Sequence, residues 1–149
     1  MNVSTKGTSN TPEVVILIRR ENKLLFVKRQ RTGYYDGSWC LPGGHVEANE
    51  AFTVAAIRET LEETGLTLEV DDLQYMHTMQ RVSAPNDVRI GVYFECTKWL
   101  GVARNAEPEV HSEIAWLAAD NLPFDSILPF QAVALQAIVA GRQYSELAF

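Results

Sequence analysis

Glu59, Glu62 and Glu63 are separated by three and four residues, so on a helix their carboxylates fall within an arc of roughly 100°. Like charges at these spacings cost about 0.2–0.5 kcal/mol per pair on an isolated helix. A divalent cation would offset that cost. Hard ions such as Mg2+ take oxygen ligands, keep several waters and bind through a few carboxylates together with substrate phosphates. The chemistry open to this face is metal-assisted cleavage of a phosphate linkage, although a bare ExxEE pattern is more often a solvated acidic stripe. Context has to decide between them.

The element that must carry these carboxylates is a helix from Asn49 to Thr64, with Asn49 as N-cap, Glu50 in the first turn and Gly65-Leu66 as the stop. Val54, Ile57 and Leu61 fall opposite the glutamates and are expected to form the buried apolar stripe. Ahead of the helix, Gln30 to Glu47 carries four glycines and a proline, the composition of a loop with short strands around Trp39 and Val46. Val14–Arg20 and Lys23–Arg29 read as a β-hairpin turning at Glu21-Asn22. Leu66–Val70 and Leu73–Met79 read as extended, and Ser83–Asp87 as a turn. Arg89–Lys98 alternates as a strand, Ile114–Leu117 is a short strand, and Phe130–Ala140 is a helix led by Pro129. Hairpins mixed with at least two helices predict an α/β sandwich rather than a βαβ series.

Gly44, Glu50, the run Arg58-Glu59-Thr60-Leu61-Glu62-Glu63-Thr64, Gly65 and Leu66 together resemble the Nudix box, G-x5-E-x7-R-E-U-x-E-E-x-G-U with U a bulky aliphatic residue. All seven fixed positions match, which for residue types near 7% abundance is a coincidence of roughly one in 10⁸. Thr60 departs from the pattern; its branched, partly apolar side chain should pack slightly less well without loss of chemistry. The box covers 23 of 149 residues, and the preceding LPGGHVE also looks like this family.

The resemblance implies a Nudix-like α/β/α sandwich with a mixed β-sheet and a loop–helix–loop metal-binding box. It implies that Glu59, Glu62, Glu63 and the Gly43 carbonyl are metal ligands, with Arg58 and Glu50 holding the carboxylates and the loop. Bare backbone at Gly43 and Gly44 would let the chain turn sharply and aim a carbonyl at the cation. Glu62, Glu63 and Arg58 are the expected catalytic groups, joined by an acidic residue beyond the box. Glu107 is the candidate there, with Glu109 and Glu113 as rivals.

The implied activity is Mg2+-dependent cleavage of a diphosphate linkage, with Mn2+ as a possible substitute. A nucleoside triphosphate or deoxynucleotide would give a nucleoside monophosphate and diphosphate by in-line attack of a metal-activated water. The alternatives are an ADP-ribose or nucleotide-sugar pyrophosphatase, and a non-catalytic nucleotide sensor, which would have less need of the full glutamate set.

Arg29 and Arg31 are candidates for binding phosphate oxygens. Tyr34, Tyr35 and Trp39 could stack on a base, with Tyr35 the substrate-binding choice and Trp39 as well suited to the core. His45, His77 and His111 lack ligand-like spacing and read as structural or surface groups. The segment Asn121–Pro129 resembles the stretch where nucleotide-selective relatives read the base, but Asp125 and Ser126 stand where an asparagine would mark purine selectivity.

Bulk properties agree with a small-molecule enzyme. The formal charge of −6 opposes a nucleic-acid backbone, and no apolar run approaches the ~20 residues of a membrane helix. Residues 1–11 are polar and read as a flexible tail, leaving 12–149 as one domain. Cys40 and Cys96 fit buried free thiols in a reducing cytosol. A cytoplasmic protein acting on a small nucleotide is expected, and a homodimer is compatible with the family.

Overall fold

In the computed structural model, which describes residues 9–148, the hairpin holds only at its base. Strands β1 (Ser9–Arg20) and β2 (Lys23–Arg29) pair antiparallel at Arg19↔Leu24 and Arg20↔Lys23, around a turn with Glu21 at φ 55°. Beyond that they part. Strand β2 takes β3 (Trp39–Cys40) on one side and β7 (His111–Ala118) on the other. Strand β1 takes β4 (Gly43–His45) antiparallel and β6 (Asp87–Cys96) parallel from Ser9↔Asp87 to Ile18↔Cys96. The hairpin of β6 with β5 (Gln74–Ala84) turns on Pro85-Asn86, and β8 (Tyr144–Ala148) lies parallel on the far edge of β5. The result is a mixed sheet with a cleft where β1 and β2 diverge.

Helix α1 (Phe52–Thr64) covers one face of the sheet and α2 (Pro129–Val139) the other. Side chains alternate along a strand, so β1 serves both layers. Val14, Ile16 and Ile18 pack with Ala55 and Ala56 of α1, while Val15 and Leu17 pack with Ala134 and Leu135 of α2. Strands covered on both faces read as continuous apolar runs, which is why VVILI shows no alternation. Each of these aliphatic side chains contributes roughly 1.5–3 kcal/mol by burial.

Several expectations need correction. The helix starts at Phe52 with Ala51 as N-cap; Asn49 sits in a turn at φ 63°, because Glu50 accepts from the Glu47 N–H and pairs with Arg58 instead of entering a first turn. Val54 and Leu61 are exposed, and α1 buries Ala55, Ala56, Thr60, Glu63 and Thr64. Small residues let the helix lie close to the sheet; of the glutamates Glu63 turns inward, Glu59 is half-buried and Glu62 stays exposed. Thr60 is fully buried with its hydroxyl unpartnered among the described residues, so an aliphatic side chain would suit the site better.

Leu66–Val70 forms no strand; Thr67 makes one bridge to Leu100 before a 3-10 turn at Val70–Asp72. Strand β1 begins at Ser9, inside the expected tail, whose residues 1–8 lie outside the described residues. Strand β8 was not expected from its short, alternately exposed YSELA segment. Cys40 and Cys96 are buried free thiols, and among the described residues no helix is long and apolar enough to cross a membrane.

Candidate active site

Strand β4 is clamped between β1 and α1, and its glycines make this possible. A Cβ on Gly43 would run into the Val14 carbonyl oxygen and one on Gly44 into the Glu59 carboxylate. Neither glycine has a positive φ. The bare backbone serves close approach rather than the sharp turn expected from the sequence. The Gly43 N–H donates to Glu63 Oε2 at 3.2 Å.

Arg58 organises the rest of the box. Its Nε and Nη2 donate to the two Glu50 oxygens at 2.8 and 2.9 Å, a fork that adds direction to charge. Nη1 donates to Glu59 at 2.8 Å and Glu62 at 3.4 Å, and Nη2 also to the His45 carbonyl at 3.1 Å. Arg58 and the Glu47 N–H hold Glu50 down to about 2.

Burial pushes the Glu63 carboxyl well above the ordinary range, reinforced by Glu59 and, more weakly, by Glu107 and Glu62. Glu59 is raised by burial against the pull of Arg58. Beyond α1 the chain turns back along the helix end: the Arg104 and Ala106 N–H groups donate to the Thr64 and Glu63 carbonyls at 2.9 and 3.1 Å. That capping brings Glu107 to the cluster, where burial and then Glu62 raise its carboxyl. Glu113 pairs with Lys28 at 3.4 Å.

Among the described residues no three acidic, histidine or cysteine side chains stand as a ready-made ligand set; Arg58 engages Glu59 and Glu62 instead. The donors nevertheless suit a hard dication. All are carboxylate or carbonyl oxygens, the carboxylates repel one another, and buried Glu63 has, among the described residues, only one hydrogen bond to its side chain, from a neutral amide. An ionised carboxylate buried with so little compensation is costly without a cation.

Next to the box opens a cleft of about 410 Å3, of a size for a small ligand. Gly43, Gly44 and Glu63 form its metal-box end, and Arg29 and Tyr34 line it too. Arg29 Nε donates to the Tyr34 carbonyl and Nη2 to Thr32 Oγ1, at 2.9 and 3.0 Å, fastening the 30–38 loop to β2. Arg31 and Tyr35 are exposed, at φ 56° and 47°, and are not part of the cleft wall. Trp39 is half-buried against the α2-side core.

Asp125 and Ser126 lie in an exposed 3-10 turn away from the cleft, whereas Leu128, Phe130 and Gln131 line it. Sequence reading missed Glu13, Arg81, Arg89 and Gln131. Gln131 is buried and its Oε1 accepts the Leu41 N–H at 2.7 Å. The available signal was parity: Glu13 alternates with Val15 and Leu17, an inward position for a charge.

His77 is fully buried between the Arg142 carbonyl and Ser145 Oγ, at 2.8 and 2.7 Å, and ties β8 to the sheet. His111 is buried on the cleft wall with Nδ1 unpartnered among the described residues, and His45 is exposed.

The NUDIX domain family matches residues 9–138. The chain belongs to this family. It is similar to a MutT-like protein of Streptomyces ambofaciens, 29% identical over 109 residues, 72% of this chain and 62% of that protein. It is also similar to the NAD-capped RNA hydrolase NudC of Pasteurella multocida, 30% identical over 127 residues, 85% of this chain and 45% of that protein. An ADP-ribose pyrophosphatase of Methanocaldococcus jannaschii is 42% identical over 57 residues, 38% of this chain and 33% of that one. The chain thus spans less than two thirds of the length of these curated relatives.

Among solved structures, the MutT NUDIX hydrolase from Burkholderia pseudomallei superposes with a TM-score of 0.77 at 27% identity, covering 86% of this chain and 97% of that one. The E. coli ORF135 protein shares the fold, with a TM-score of 0.76 at 21% identity over 89% and 91% of the two chains. The mixed sheet between two helices is the NUDIX hydrolase fold, and the family generally uses a divalent metal.

Proposed function

We propose that this NUDIX protein is a Mg2+-dependent pyrophosphohydrolase that cleaves a nucleoside triphosphate or deoxynucleotide into a nucleoside monophosphate and diphosphate. The observation that carries the reading is the buried Glu63 carboxylate at the cleft wall, coupled to Glu59, Glu62 and Glu107 and short of compensating charge. Glu59, Glu62, Glu63 and the Gly43 carbonyl would hold Mg2+, or Mn2+ in its place. Such a cation supplies charge neutralisation on the phosphate oxygens and lowers the pKa of water.

The protein's own groups do the rest. Glu107 takes the proton of the attacking water; burial and then Glu62 raise its carboxyl, which makes its carboxylate a stronger base. The water oxygen bonds to one phosphorus as the anhydride P–O bond on the opposite side breaks, and diphosphate leaves with that electron pair. Arg29 donates to phosphate oxygens inside the cleft, while Arg31 and Tyr35 serve the part of the substrate that projects beyond it. Arg58 keeps Glu59 and Glu62 in place through its anchor on Glu50. The modest cleft and the charge of −6 favour a small nucleotide over a polymer.

The test is a panel of nucleoside and deoxynucleoside triphosphates, ADP-ribose and nucleotide sugars with Mg2+, the products identified by phosphorus NMR. Triphosphates should give monophosphate and diphosphate, and Glu63→Gln should lower kcat at least ~100-fold. Full turnover in excess chelator, or in that variant, overturns the mechanism; turnover confined to ADP-ribose or a nucleotide sugar moves the protein to that substrate class.

A further inference from the structure

The cleft has a second charged wall that the hydrolytic groups do not use. Glu13, Arg81 and Arg89 meet there from β1, β5 and β6. Arg81 and Arg89 stand directly opposite each other in the β5–β6 hairpin, a like-charge pair that is unfavourable unless compensated. Glu13, buried to 8% exposure, compensates it. Arg81 Nη2 donates to its two oxygens at 3.1 and 3.3 Å and Arg89 Nη1 to Oε1 at 3.3 Å.

The two arginines differ in what they have left. Arg89 has every nitrogen engaged and at most one N–H to spare: Nε and Nη2 on Asp87 at 3.0 and 3.4 Å, and Nη1 on Glu13 and 3.1 Å from His45 Nε2. Arg81 uses only Nη2, so the three N–H donors of Nε and Nη1 have no partner among the described residues. Glu13 and the Phe130 ring, 3.9 Å below the guanidinium carbon, hold it in place.

A fixed guanidinium with unused donors takes two adjacent acceptors. Phosphate oxygens are one such pair, but here they would lie against the Glu13 carboxylate, in a cluster where Glu13 and Asp87 already balance both arginines. A neutral acceptor pair meets no such repulsion, and the apolar Val15, Leu128 and Phe130 lining the same cleft suit a base. Position agrees. Glu13 pairs with His45 and Val15 with Gly43, so this wall is two strand residues, about 7 Å, from the metal box, within the span of one nucleotide.

We infer that Arg81 is the base-selecting residue of the cleft, taking a nucleobase edge with two adjacent acceptors, as in O6 and N7 of guanine or O2 and N3 of cytosine. Adenine sets an amino donor beside its ring acceptors, and thymine places N3–H between its carbonyls; neither base offers the O6/N7 or O2/N3 type of pair. Glu13 is the positioning residue. The inference rests on the nucleotide reading of the site.

The experiment measures calorimetric affinities of dGMP, dCMP, dAMP and dTMP, then kcat/KM for the four triphosphates, in wild type, Arg81→Lys and Glu13→Gln. The guanine nucleotide, the cytosine nucleotide or both should lead the others by ~10-fold or more, and which one leads identifies the edge read. Arg81→Lys keeps the charge and loses the fork, so it should weaken the favoured nucleotide by ~5- to 150-fold and leave adenine and thymine within about threefold. Glu13→Gln, which keeps the shape and loosens the anchor, should shrink the same ratio if the lysine variant does not fold. Equal affinity for all four bases, no binding of any, or a variant that weakens all four alike overturns the assignment. Base-selective binding without hydrolysis would fail the proposed activity and leave Arg81 standing; hydrolysis indifferent to the base would do the reverse.

Discussion

Gly44→Ala should separate catalysis from folding. Its φ is not in the left-handed region, so alanine imposes no backbone strain. The new methyl, however, would sit 2.5 Å from Glu59 Cδ and 2.7 Å from Oε2, against an ordinary contact of 3.4 Å or more. The carboxylate must retreat by about 0.9 Å, the shortfall at Cδ. What yields is the far end of a flexible side chain, so stability should change by less than ~1 kcal/mol. A displacement near 1 Å in a catalytic constellation costs on the order of 100-fold in rate.

The assay is kcat on the best triphosphate with saturating Mg2+, beside a thermal melt. Gly43→Ala is the companion: its methyl meets the Val14 carbonyl oxygen, and Val15 Cα at 3.1 Å. Backbone, not a side chain, must give there, and ~1–3 kcal/mol of stability should be lost. A Gly44→Ala enzyme within threefold of wild-type kcat, or one destabilised as much as Gly43→Ala, would refute the reasoning that Gly44 exists to leave room for Glu59.

Two pH effects follow from the ionised pairs. Glu50 is held near 2 by Arg58; a depressed carboxyl contributes stability that is intact above its ordinary value near 4.5 and drains as pH falls toward 2. Denaturation midpoints at stepped pH should show that acid limb in wild type and a flatter one in Arg58→Met; an equal slope in both would exclude the pair as its source. His111 is shifted downward by burial and then by Arg29. Its contribution is therefore present above about 6.5 and lost as pH falls below it. Between pH 7.5 and 5.5 the wild-type Tm should drop further than that of His111→Gln, and parallel curves would show that His111 does not charge on unfolding.

The family motif was legible because its logic is local. Glu59, Glu62 and Glu63 share a helix face through the 3.6-residue period alone, and Gly44, Glu50, Arg58 and Gly65 lie at fixed offsets from them. The β1 and β2 hairpin, the helix led by Pro129 and the turn at Pro85-Asn86 were equally local. What failed depended on partners. Asn49 lost its capping role because Glu50 bonds to Arg58, eight residues on. On α1, Ile57 packs against the core as expected, but Val54 and Leu61 were misjudged because periodicity does not fix how far the apolar stripe is turned toward the sheet.

By itself the sequence determined that a helix would present clustered carboxylates beside a glycine-rich loop, since covalent spacing and helical geometry need no tertiary partner. Only the folded structure decided that Glu63 is buried and Glu59 half-buried while Glu62 stays exposed, because Ala55, Ala56 and Thr60 are small enough to let α1 lie close to β1 and β4. It also decided what faces them across the cleft. Glu13, Arg81 and Arg89 are 68 to 76 residues apart in the pairs they form, and strand register brings them together, which no local pattern encodes.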